Sequence, residues 1–132
     1  MAVGEKVLLV DDHEDNLLAL QCAIAPLGYP MELATSGDAA LKAVLRGGIA
    51  VAVLDVVMPT LGGLDVLLYM QRVEHTRHIP VILVTGWGAG AQLQREALRL
   101  GAADLLVKPI DPWALRIKVG YLHGTSRRLS PA

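Results

Sequence analysis

Residues 50–65 read AVAVLDVVMPTLGGLD, and the fold turns on how this stretch changes character at Asp55. Five apolar residues in succession, Ala50, Val51, Ala52, Val53 and Leu54, have the length of a strand. They lack the apolar–polar alternation of a sheet with one wet face, so the strand is predicted to be buried on both faces. An acid follows at once. Beyond it come Met58-Pro59 and Gly62-Gly63, a turn that opens a helix expected from about residue 63 to 73.

Outward from this stretch the same grammar repeats. Apolar runs of strand length occupy residues 7–10, 81–84 and 105–107, with a weaker one at 31–34. Helical patterns lie between them. The first should begin near Asp15, carry Leu17, Leu20, Ala23, Ile24 and Leu27 at helical spacing, and close at Gly28. The second should start after Thr35 or Ser36, whose hydroxyls can accept from free N–H groups, and end at Gly47-Gly48. A fourth is expected over 91–100, ending at Gly101. The fifth opens with Asp111-Pro112, a cap followed by proline at the first helical position, and runs to about Leu122. Five strand–helix units with doubly buried strands predict an α/β fold with a parallel sheet between helices. Residues 124–132 are small, polar or basic and read as a tail or linker stub.

Composition agrees and excludes several roles. A chain of 132 residues fits one domain, large enough to remove about two-thirds of its unfolded surface from water. Its apolar content is Leu, Val and Ala with no Phe, which suits buried strands and excludes a disordered chain. The net charge of -1 supplies no basic field for nucleic acid or an anionic membrane. No apolar run approaches the ~18 residues of a membrane helix, and the N-terminus lacks a signal pattern, so a cytoplasmic protein is expected. The lone Cys22 reads as core filler, and His75, His78 and His123 as surface residues.

The ionisable residues fall at the carboxyl ends of the apolar runs: Asp11-Asp12 after 7–10, Asp55 after 50–54, Thr85 after 81–84 and Lys108 after 105–107. In an open parallel sheet, ligands bind outside those ends, where connections diverge. Three carboxylates gathered there repel one another and lose solvation, which a divalent cation would offset. Mg²⁺ suits such a place, since it takes oxygen ligands and keeps waters or phosphate oxygens in its remaining positions.

Asp11, Asp12, Asp55, Thr85 and Lys108, together with Met58-Pro59, Gly62-Gly63, the small Gly86 after Thr85, and Lys108-Pro109, resemble the receiver domain of response regulators over nearly the whole chain. The resemblance implies a flavodoxin-like (βα)5 doubly wound sheet with strand order 2-1-3-4-5 and helices on both faces, spanning residues 1–123. It implies that Asp55 is the phosphoacceptor, taking a phosphoryl group from a histidine kinase or a histidine phosphotransfer domain. Asp11, Asp12, Asp55 and the backbone carbonyl of Val57 would hold Mg²⁺ or Mn²⁺, while Thr85, Gly86 and Lys108 would hold the phosphoryl group and act as the switch. A cis peptide before Pro109 is implied too. Such a domain is a switch for partner contacts rather than an enzyme, catalysing only its own phosphorylation and slow dephosphorylation. It allows a homodimer through the fourth helix, fifth strand and fifth helix, and needs neither nucleic acid nor membrane.

Two features depart from the family's pattern. Leu105 stands where most receivers carry Tyr or Phe, three residues before the lysine, so the usual coupling of Thr to an aromatic ring is not expected; Trp87 is a candidate substitute. Val57 and Trp87, two residues after Asp55 and two after Thr85, occupy positions that tune water attack in this family. Both are apolar, which predicts a long-lived phosphoprotein. Two rival functions remain open on sequence: a phosphorylation-independent pseudo-receiver, favoured by Leu105, and a phosphatase of the haloacid-dehalogenase type, disfavoured because Val57 replaces the acid that chemistry uses.

Overall fold

The computed structural model describes residues 5–86 and 90–129, the last four of these as backbone. Its strands are β1 (Lys6–Val10), β2 (Met31–Ala34), β3 (Ile49–Asp55), β4 (Val81–Thr85) and β5 (Asp104–Val107). The helices are α1 (Glu14–Ile24), α2 (Gly37–Arg46), α3 (Gly63–Arg72), α4 (Ala91–Arg99) and α5 (Pro112–Leu129). All strand pairs are parallel, in the order β2-β1-β3-β4-β5. This is the doubly wound, flavodoxin-like arrangement expected from the sequence.

Alternation along each strand sends successive side chains to opposite faces. On one face Leu8, Val10, Leu54 and Leu83 pack with residues of α2, α3 and α4, among them Val44, Val66, Met70 and Ala97. On the other, Val7, Leu9, Val53 and Val84 pack with α1 and α5 through Leu20, Ile24, Leu115 and Val119. Every residue of the central β3 is buried. That is why residues 50–54 show no alternation in sequence, and each such Leu or Val contributes about 1.5–3 kcal/mol by leaving water.

Helix starts follow their caps. Ser36 Oγ accepts from the Ala39 N–H at 3.1 Å, and Asp111 Oδ1 accepts from the Trp113 N–H at 3.0 Å; each cap stabilises its helix by about 1 kcal/mol. At the end of α1, Pro26 tightens the chain into a 3-10 turn over Ala25–Leu27, closed by Gly28 at φ 75. A proline there removes an N–H donor and ends the regular ladder.

Three expectations need correcting. Helix α5 continues to Leu129, past the end near Leu122 that Gly124 and the polar residues after it suggested. Cys22 is exposed, not core. His123 is buried, 2% exposed: its Nε2 donates to the Glu5 carbonyl at 2.8 Å, and its ring stacks on Tyr29 with centroids 3.7 Å apart. His75 and His78 are exposed, as read from the sequence. Among the described residues no helix is long and apolar enough to cross a membrane.

Candidate functional site

The carboxyl ends of β1, β3, β4 and β5 converge, and each ionisable residue singled out in the sequence arrives there because its strand stops there. Lys108, one residue past β5, bridges two acids. Its Nζ lies 3.3 Å from Asp11 Oδ2 and 3.4 Å from Asp55 Oδ2. Asp11 is 1% and Asp55 3% exposed, so the ammonium pairs with carboxylates that water hardly reaches. The Lys108–Pro109 peptide is cis, and the Lys108 N–H donates to the Thr85 carbonyl at 2.8 Å, tying β5 to β4 beside the site.

Asp55 is held by its own turn, with Oδ1 accepting from the Val57 N–H at 3.3 Å. Burial raises its proton affinity above the ordinary carboxylate value, and the Asp11 charge raises it further; Lys108 and the Val57 N–H act in the opposite direction. Desolvation therefore outweighs the one nearby cation. Asp11 Oδ1 accepts from the His13 N–H at 2.9 Å, which fixes the first turn after β1.

One lysine does not satisfy this group of acids. Ligand atoms of Asp11, Asp12, His13 and Asp55 lie within 4.8 Å of one another, and Asp12 Oδ1 is buried with no hydrogen-bond partner. An oxygen in that condition costs about 1–3 kcal/mol, and a divalent cation seated among the acids would satisfy it. The residues present thus fit a divalent-cation site of the Mg²⁺ type.

Thr85 ends β4, buried beside Asp55, and Gly86 follows with open space where a β-carbon would stand. Val57 is 70% exposed at the edge of the site. Trp87 lies outside the described residues. Leu105 packs against the core on the α2, α3 and α4 side. Beside Lys108 a cavity of about 500 Å³ opens between α1 and α5, lined by Asn16, Leu20, Ala23, Ile110 and Leu115 among others.

Glycines hold the loop beneath Asp55. A β-carbon on Gly62 would stand 2.3 Å from the Val56 carbonyl oxygen, and one on Gly37 2.2 Å from that of Leu61. The Gly62-Gly63 pair was visible in the sequence as a turn. The role of Gly37 was not, because it depends on a loop more than twenty residues away. Asp65 caps α3, its Oδ2 accepting from the Gly62 N–H at 3.1 Å, a structural use. Two residues before Gly62, Thr60 sits at φ 68, left-handed backbone that is costly for a β-branched residue.

Fold and site together define a doubly wound α/β domain with a lysine-bridged acidic site at the carboxyl edge of its sheet, and comparison with known proteins gives the family. The response regulator receiver domain family matches residues 7–120. The chain belongs to that family, the receiver domains of two-component signalling. It is 36% identical over 121 residues to the response regulator PleD of Caulobacter vibrioides, covering 91% of this chain and 26% of that protein. It is 38% identical over 128 residues to FleR of Pseudomonas aeruginosa, covering 93% and 26%. This chain therefore spans about a quarter of those relatives' lengths. Among solved structures, a CheY-like receiver protein from Methanospirillum hungatei superposes with a TM-score of 0.85 at 22% identity, covering 96% of this chain and 99% of that one. The receiver domain of AraT from Geobacillus stearothermophilus does so with a TM-score of 0.80 at 30% identity, covering 96% and 98%.

Proposed function

We propose that this domain takes a phosphoryl group onto Asp55 from a histidine kinase or histidine phosphotransfer domain in the cytoplasm, and thereby switches its contacts with partners. The observation that carries this is the bridge from Lys108 to Asp11 and Asp55 beside a buried Asp12 oxygen that makes no hydrogen bond. A carboxylate oxygen of Asp55 attacks phosphorus; the O–P bond forms as the P–N bond to the donor imidazole breaks, and the electron pair leaves with the imidazole. Asp11, Asp12, Asp55 and the Val57 carbonyl would hold Mg²⁺ or Mn²⁺, which supplies positive charge to the phosphoryl oxygens when bound. Lys108 adds its ammonium and the Thr85 hydroxyl donates a hydrogen bond, while Gly86 leaves room for the group to approach. Positioned charge of this kind supplies much of phosphoryl-transfer catalysis.

The partner surface we assign lies beside the site, where α1 exposes Leu18 and the α1–α5 cavity opens next to Lys108. The α4-β5-α5 face, with Leu98, Trp113, Ile117 and Tyr121 exposed, is the face a homodimer would use. The receiver unit we assign is residues 1–123, with 124–132 leading away from it.

Leu105 favours a second reading, a pseudo-receiver that signals without phosphorylation. Intact mass after incubation with acetyl phosphate and Mg²⁺ separates the two. Wild type should gain one phosphoryl group and Asp55→Ala none; a wild type that gains nothing would leave the pseudo-receiver standing.

A further inference from the structure

Resting on the reading that Asp11, Asp12 and Asp55 hold a divalent cation, we propose that His13 is a further ligand of that cation, and that its imidazole turns the site toward Zn²⁺-type cations relative to Mg²⁺. His13 Nδ1 lies 3.2 Å from Asp12 Oδ1 and 3.5 Å from Asp11 Oδ1. The Asp12 oxygen is buried and makes no hydrogen bond, so the imidazole at ion-pair distance is the group that faces it.

The spacing is compatible with a single cation. With metal–ligand bonds of about 2.0–2.1 Å, two adjacent ligands stand about 2.9 Å apart in an octahedral site of the Mg²⁺ type and about 3.3 Å apart in a tetrahedral site of the Zn²⁺ type. The 3.2 Å separation suits adjacent positions on one ion, and the ligand atoms of all four residues lie within 4.8 Å of one another.

The local backbone leaves the ring available. His13 is the N-cap residue of α1, extended at φ -102 and ψ 120, and its side chain makes no cap hydrogen bond. Its backbone serves the fold, the N–H donating to Asp11 Oδ1 and the carbonyl accepting from the Leu17 N–H at 3.0 Å. The side chain is 68% exposed, so removing it leaves no cavity in the core.

Carboxylates and water suit Mg²⁺, whereas imidazole suits Zn²⁺ and its neighbours. One nitrogen added to three acids should therefore raise affinity for Zn²⁺ and leave Mg²⁺ nearly unaffected.

Titration calorimetry of the full chain with ZnCl₂ and with MgCl₂, together with ¹⁵N spectra of the imidazoles, tests this. His13→Ala should lose affinity for Zn²⁺ by at least roughly tenfold, since even a group that only supports a ligand costs that much when removed, and keep its affinity for Mg²⁺ within about twofold. The His13 Nδ1 resonance should shift on adding Zn²⁺ to wild type. Equal Zn²⁺ affinity in wild type and His13→Ala, or a Zn²⁺ response confined to His75 and His78, overturns the proposal. Asp12→Asn reports on the underlying reading separately: it should weaken both cations, and unchanged Mg²⁺ binding in that variant would remove the cation site itself.

Discussion

A β-carbon placed on Gly63 would stand 2.6 Å from the carbonyl oxygen of Asp55. The start of α3 is thus pressed against the backbone of the residue on which the proposed chemistry depends. That contact turns the sequence pair Gly62-Gly63 from a generic helix start into a positioning device for Asp55. Any side chain at 63 must push β3 or α3 away, and β3 is buried along its whole length.

Gly63→Ala is therefore expected to destabilise the domain by about 2–3 kcal/mol, in the range of overpacking a filled interior. Gly28→Ala provides the contrast. Gly28 has φ 75, and a methyl group added there would meet nothing within 4 Å, so only the left-handed backbone is penalised, by about 1 kcal/mol. Urea unfolding of the two variants should show Gly63→Ala as the more damaged. Equal losses would mean that the contact with Asp55 relaxes freely.

Most of this arrangement was legible in the sequence because it follows from nearest neighbours along the chain. Asp11, Asp55, Thr85 and Lys108 each end or follow an apolar run, and a parallel sheet brings such ends together. What escaped depends on distant contacts or on a weak pattern. The first helix is apolar on several sides, with Leu17, Leu18, Leu20 and Cys22 close together, so its period could not say that Leu18 and Cys22 face water. The burial of His123 needs Glu5, 118 residues away, and Tyr29, neither of which its own surroundings announce. The full length of α5 is hidden because Gly124 and Ser126 are weak helix formers, yet they only lower propensity and do not forbid the helix.

His123→Ala should destabilise the domain by about 2–3 kcal/mol, since it removes a buried ring and leaves the Glu5 carbonyl without its donor. His123→Gln keeps a donor but loses the stack on Tyr29, and should recover part of the loss. Thermal unfolding of both variants measures this. If His123→Ala unfolds with wild type, the junction between β1 and α5 contributes nothing.

Replacing Lys108 with Met keeps most of its length and removes its charge. The two buried acids then lose their shared cation, and phosphorylation by acetyl phosphate should slow by roughly 10²-fold, the effect of losing one positioned charge at a reacting centre. The rate of appearance of phosphoprotein by intact mass is the measurement. A rate within a few-fold of wild type would show that Lys108 is not part of the chemistry.

Phosphorylated protein should be long-lived. Val57 is exposed at the edge of the site and offers no polar group to orient a water toward the phosphoryl group. Val57→Asn introduces one, and the half-life in Mg²⁺ should fall by about tenfold, a modest share of what a positioned acid–base group supplies. A wild-type half-life of seconds, unchanged in Val57→Asn, would mean that residue 57 does not govern hydrolysis.

The charge on Asp55 also sets how metal-free stability depends on pH. Its folded proton affinity lies above the unfolded value of 3.8, so the folded state holds the proton more tightly than the unfolded chain does. Stability from the neutral carboxyl is then fully present below about pH 3.8 and lost as pH rises through the folded value. Above that folded value, with a chelator present, wild type has lost that contribution, whereas Asp55→Asn is neutral throughout. The Asn variant does give up its ion pair with Lys108, 3.4 Å away. Burial, the largest cause of the shift, and repulsion from Asp11 both oppose the charge, and Lys108 keeps Asp11 at 3.3 Å as a partner. Asp55→Asn should therefore unfold at a higher temperature than wild type at pH 7 in chelator, with the gap closing on acidification. Added Mg²⁺ should narrow it from the other side, raising wild type more than the variant, because a cation bound to the folded form stabilises by mass action and Asn offers a weaker ligand. A less stable Asp55→Asn in chelator at pH 7 would mean that the pairing with Lys108 outweighs the cost of burying the charge.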